Sequence, residues 1–137
     1  MGRQLSACLL DTNAFALLLT DAPHLPAAAR AFVSSSGLVS VSAISFYEIG
    51  QKVRLGKWDT MQAYSASLEE HAASVGYDVL SISAATALAA SRMDWVHRDP
   101  FDRIIAAQAL SLDVPLVSSD RAFDDLHLSR IWMKSSK

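Results

Sequence analysis

Short apolar runs alternate with helix-like segments along the chain, and this alternation limits the fold more than any other feature. Residues 5–10, 38–41, 77–82, 113–118 and 129–133 read as five short strands. Helical spacing is expected over 14–19, 26–34, 60–75, 84–93, 100–112 and 120–126, and over a segment that runs from a cap at Ser42 or Ser45 to about Gly56. Short strands without a polar side need cover on both faces, which parallel pairing with crossover helices supplies. The expected fold is α/β: a three-layer α/β/α arrangement around a mostly parallel five-stranded sheet. No repeat, linker or low-complexity segment divides it, so residues 1–137 are expected to form a single domain.

The strongest local signal is Arg98-Asp99-Pro100-Phe101-Asp102-Arg103-Ile104-Ile105-Ala106-Ala107-Gln108. Asp99 suits an N-cap, Pro100 the first helical position, and Asp102 the first turn, where the helix dipole favours negative charge. Capping accounts for these two acids. It does not account for Asp11, which ends an apolar run, for Glu48, inside an apolar helical face, or for Asp120, which ends another run. Ser45-x-x-Glu48 also fits a capping box, which would give Glu48 a structural task. In a parallel sheet, however, helices begin at the edge where strands end, and ligands bind there. That one edge collects Asp11, Glu48, Asp102 and Asp120.

Carboxylates held close together raise each other's pKa unless a cation sits among them. Mg2+ and Mn2+ prefer hard oxygen ligands and keep waters that can act as nucleophiles. His24, His71, His97 and His127 show no metal-ligand spacing and read as surface or loop residues, which argues against zinc. A haloacid-dehalogenase-type phosphatase would need an acid where Asn13 stands, and a receiver domain would need one after the third strand, where the chain reads Leu80-Ser81-Ile82-Ser83. Another acid-centred phosphatase and a catalytically inactive binding module remain the alternatives.

Net charge is −2, which excludes broad electrostatic binding of nucleic acid but leaves room for a local basic rim. Apolar residues make up 51% of the chain and mean hydropathy is +0.21, yet no run reaches the ~18 residues that span a membrane. The excess apolar surface, including Phe46, Ile49 and Val53 on a helix that is apolar on two sides, points to a homodimer or a partner. Asp11 interrupts the first apolar run, so no signal peptide is expected. A lone Cys8 implies a reduced thiol and a cytoplasmic protein.

Leu-Leu-Asp11-Thr-Asn, Ser42-x-x-Ser45-x-x-Glu48, Asp99-Pro-Phe-Asp102-Arg-Ile-Ile-Ala-Ala-Gln, and Ser118-Ser119-Asp120 with Phe123 occur in that order. Together they resemble the PIN-domain ribonucleases, most nearly the VapC-type toxins of bacterial toxin–antitoxin pairs, over essentially the whole chain. The resemblance implies a Mg2+- or Mn2+-dependent endoribonuclease, usually dimeric, silenced by a VapB-type antitoxin. It makes Asp11, Glu48, Asp102 and Asp120 the catalytic acids, with Asp11, Asp102 and Asp120 holding metal. Asp99 matches an extra acid of one branch of the family. Thr12, Asn13 and Ser119 would add hydrogen bonds around the site or serve as turn and cap residues. Arg98, Arg103 and Arg121 each neighbour a site acid and would hold RNA phosphates or balance charge. Trp58 and Trp95 would stack bases or pack the core.

Overall fold

The computed structural model describes residues 6–133. Five strands form one sheet: β1 (Ala7–Leu10), β2 (Leu38–Ser42), β3 (Asp78–Leu80), β4 (Leu116–Val117) and β5 (Arg130–Ile131), in the order β3-β2-β1-β4-β5. Every pairing is parallel. Seven helices connect them among the described residues: α1 (Thr12–Leu19), α2 (Ala27–Ser34), α3 (Ala43–Arg54), α4 (Gln62–Ser65), α5 (Leu68–Ser74), α6 (Ala84–Arg92) and α7 (Pro100–Leu112). Short 3-10 turns cover Asp59–Met61 and Arg121–Asp125.

The side-chain alternation of a strand divides the core in two. Cys8 and Leu10 of β1 join a cluster with Phe15, Val41, Ile49, Met61 and Leu68. Leu9 points the other way and joins Trp95, Ile105, Ala106, Leu116 and Phe123. The sheet is thus covered on both faces, the three-layer α/β/α arrangement that short apolar strands require.

Several local expectations change. The helix expected over 60–75 is broken into a 3-10 turn, α4 and α5. Serines cause this: the Ser65 hydroxyl donates to the Gln62 carbonyl, and Ser67 takes an extended φ of −135°. β3, β4 and β5 are shorter than expected. The left-handed Asp113, at φ 55°, ends α7 and makes the turn that leads into the fourth strand. Leu5, expected to begin the first strand, lies outside the described residues, as do Arg3 and residues 134–137.

α3 departs from its expected role in two ways. Ser42, not Ser45, caps it, accepting from the Ile44 amide at 3.1 Å. Ser45 is buried inside the helix, its hydroxyl 2.8 Å from that of Thr12. The capping box is therefore absent, and Glu48 has no capping task. Nor is the helix buried on two sides. Ile49 is fully buried, and Phe46 and Val53 pack on this chain's own core, while Tyr47 and Leu55 are exposed. Phe46, Ile49 and Val53 therefore spend much of their apolar surface within this chain.

Candidate active site

Asp11 follows β1 and is itself the N-cap of α1, its Oδ1 accepting from the Ala14 amide at 2.8 Å. The strand end delivers the carboxyl to the sheet edge, and the helix start holds it there. Asp11 is only 5% exposed. Burial pushes its pKa up to about 7, against the Ser118 hydroxyl and the Ala14 amide, and the charges of Asp102 and Glu48 push the same way.

Glu48 arrives from α3 and is 6% exposed. Its Oε2 accepts from Lys52 Nζ at 2.7 Å, one helical turn on. Its Oε1 is buried with no hydrogen-bond partner among the described residues. An unpartnered buried carboxylate oxygen is costly.

Asp102 lies in the first turn of α7, with Oδ2 2.7 Å from His97 Nε2. Burial raises its pKa above the ordinary carboxylate value. The bond to His97 opposes the rise, and the charges of Asp99 and Glu48 add to it. Asp120 caps the turn Arg121–Asp125, accepting from the Ala122 amide at 2.9 Å, and is exposed. Ligand atoms of His97, Asp102 and Asp120 all lie within 4.8 Å of one another.

The remaining candidates divide. Asp99 caps α7, accepting from the amides of Phe101 at 2.8 Å and Asp102 at 3.5 Å. Thr12 is buried and ties α1 to α3 through Ser45. Asn13 and Ser119 are exposed beside the acids that precede and follow them in sequence, and Arg98 and Arg121 are exposed. Arg103 is not available to RNA. Its guanidinium donates to the carbonyls of Ala90, Met93, Trp95 and His97 at 2.6–2.9 Å. It pins the loop that carries His97. Trp95 is a core residue, its indole donating to the Ala122 carbonyl at 3.2 Å.

Sequence reasoning missed His97 and Lys52. The i,i+4 spacing of Glu48 and Lys52 was a readable signal for the second. His97 carried none, because the loop that turns it back onto Asp102 is shaped by Arg103. His97 is a loop residue, as expected, but the loop brings its ring onto Asp102.

The residues fit a divalent cation. Glu48 Oε1 is an orphan, Asp11 is a desolvated acid crowded by two others, and three further donor atoms sit close together. The donor set is carboxylate oxygen, which suits Mg2+ or Mn2+, with the His97 nitrogen engaged to Asp102 Oδ2.

The sequence pattern of the PIN domain matches residues 8–127. Among solved structures, VapBC2 from Rickettsia felis bound to a promoter DNA fragment is similar at 16% identity and TM-score 0.68, covering 92% of this chain and 98% of that one. The Mycobacterium tuberculosis toxin VapC20, described as cleaving the sarcin-ricin loop, is similar at 17% identity and TM-score 0.67, covering 91% and 98%. FitAcB from Neisseria gonorrhoeae is similar at 20% identity and TM-score 0.63, covering 90% and 95%. No curated protein matches the sequence. At these identities the structural likeness concerns the fold.

Proposed function

The chain belongs to the PIN domain family, and we propose that it is a metal-dependent endoribonuclease toxin neutralised by a VapB-type antitoxin. The observation that carries this reading is the convergence of acids from four separate segments on the carboxyl edge of the sheet. Asp11 is more deeply buried than its capping bond requires and Glu48 Oε1 has no partner among the described residues, and a cation would relieve both. The similar structures that hold a toxin with its antitoxin, and the one described as an RNA-loop-cleaving toxin, support the partner and the substrate class.

Asp11, Asp102 and Asp120 would hold Mg2+ or Mn2+, with His97 fixing the Asp102 carboxyl. When bound, the cation supplies positive charge against the phosphate and makes a water acidic enough to attack it. Glu48 Oε1, which has no hydrogen-bond partner among the described residues, would orient the attacking water and accept its proton. Lys52 neutralises the other oxygen of Glu48. Hydrolysis breaks one P–O bond of the RNA backbone and forms another to water.

Leu88 on α6 and Leu112 on α7 are exposed, and this reading assigns the contact with a second copy to these two helices. Among the described residues, no helix is long and apolar enough to cross a membrane. The lone, buried Cys8 and the proposed RNA substrate support a cytoplasmic location in this reading.

Incubation of the purified chain with RNA, with and without EDTA, tests the proposal. Cleavage that needs Mg2+ or Mn2+ and disappears in Glu48→Gln supports it. Undiminished cleavage in EDTA, or by Glu48→Gln, overturns it.

A further inference from the structure

A second concavity opens beside the acids. It encloses about 500 Å3 and is lined by Asn13, His24, Trp58, Thr60, Ser119 and Trp132 along with apolar atoms of α1. Asn13 stands two residues after Asp11, and Ser119 directly precedes Asp120. The chain thus passes from the acid site to the cleft at two points. Trp58 is linked to that site a second time: Lys52 Nζ lies over its ring, 5.5 Å from the centroid, while bonding Glu48.

We propose that this cleft receives one unpaired base of single-stranded RNA next to the phosphate being cut. The inference rests on the ribonuclease reading above and names how that site selects its substrate. The lining chemistry excludes other ligands. No Lys, Arg, Asp or Glu lines the cleft, and Lys52, over the Trp58 ring, is already paired with Glu48, so a phosphate finds no free counter-charge there. A docked protein helix wants a continuous apolar stripe, which Asn13, Thr60 and Ser119 interrupt. Half-buried indoles beside exposed amide and hydroxyl groups are what a base requires: a face to stack on and donors and acceptors for its edge. The volume lies within the range of small-molecule pockets. A paired base cannot enter, so the cleft selects loops and single strands.

The test uses the Mg2+-loaded chain on a short single-stranded RNA, with an abasic nucleotide placed at each position in turn. One position flanking the cut should be sensitive, KM rising about fivefold or more when its base is removed. Trp58→Leu should raise KM for the intact RNA by a similar factor and abolish the abasic effect, while Trp58→Phe restores both. Thr60→Val, at an exposed position that folding does not need, should flatten the base preference at that same position. An abasic penalty that persists in Trp58→Leu, together with an unchanged preference in Thr60→Val, overturns the base cleft and leaves the nuclease standing. A wild-type chain that cuts no RNA overturns both.

Discussion

The acid site has two unlike halves. Asp11 and Glu48, supplied by β1 and α3, are almost inaccessible, at 5% and 6% exposure, and neither is fully compensated. Asp102 and Asp120, at the starts of α7 and of the following turn, are more open, with hydrogen bonds to His97 and to the Ala122 amide. The difference teaches where free energy is stored. The closed half holds charge that the protein alone does not satisfy, so it is the half that a cation stabilises. The open half holds ligand atoms close together and faces the substrate.

Substitutions should separate the halves. The largest effect is expected from Asp102→Asn, where removal of one charge costs cleavage about 100-fold or more, equivalent to at least about 2.7 kcal/mol of transition-state stabilisation. Loss of the helix-dipole interaction alone would lower stability by only ~0.3–1 kcal/mol and leave cleavage intact. Single-turnover kinetics and thermal melts on the same variant distinguish these outcomes.

The closed half also sets a pH dependence. A carboxyl whose folded pKa lies near 7, above its unfolded value of 3.8, is protonated in the folded state while the unfolded chain has already ionised. The folded state then binds more protons, so metal-free stability falls as pH rises from about 4 to about 7 and levels off above that. The raised pKa of Asp102 acts in the same direction. Urea titrations across this range, without metal, should show a loss on the order of a few kcal/mol. Saturating Mg2+ or Mn2+ should recover part of it near neutrality, because a ligand bound only to the folded state stabilises it.

Arg103→Ala should act on the fold first, since it leaves the carbonyls of Ala90, Met93, Trp95 and His97 without their donor. A loss of about 2 kcal/mol in denaturant unfolding is expected from charge-assisted bonds of this kind. Unchanged stability would return Arg103 to the list of phosphate contacts. The smallest effect is expected in the open half. His97→Ala removes the partner of Asp102 and should slow cleavage about 10-fold, the cost of losing a group that orients a ligand.

The sheet, its parallel sense and the sheet edge were legible because they follow from strand burial and helix alternation. Asp11, Glu48 and Asp120 stood out because each interrupts an apolar pattern, and Asp102 because it lies in a strongly signalled helix start. What the sequence concealed depended on distant contacts. Ser42 and Ser45 are equivalent cap candidates until Thr12 takes one of them into a buried hydroxyl pair. Arg103 looks like a free cation until the loop between α6 and α7 folds over it. His97 joins Asp102 only because that loop is pinned. Phe46 and Val53 look like an interface until α1 and the residues around Trp58 are seen to share their cluster.

Asp11→Asn tests the central claim most directly, with stability and cleavage measured on one metal-free and one Mg2+-loaded sample at about pH 8. Asparagine keeps the oxygen that accepts from the Ala14 amide and removes the buried charge. The account predicts a metal-free variant more stable than wild type, no longer stabilised by Mg2+ to the same degree, and slower in RNA cleavage by about 100-fold or more. A variant that is less stable than wild type, gains as much from Mg2+ and cuts RNA at the wild-type rate would show Asp11 to be a helix cap and nothing more.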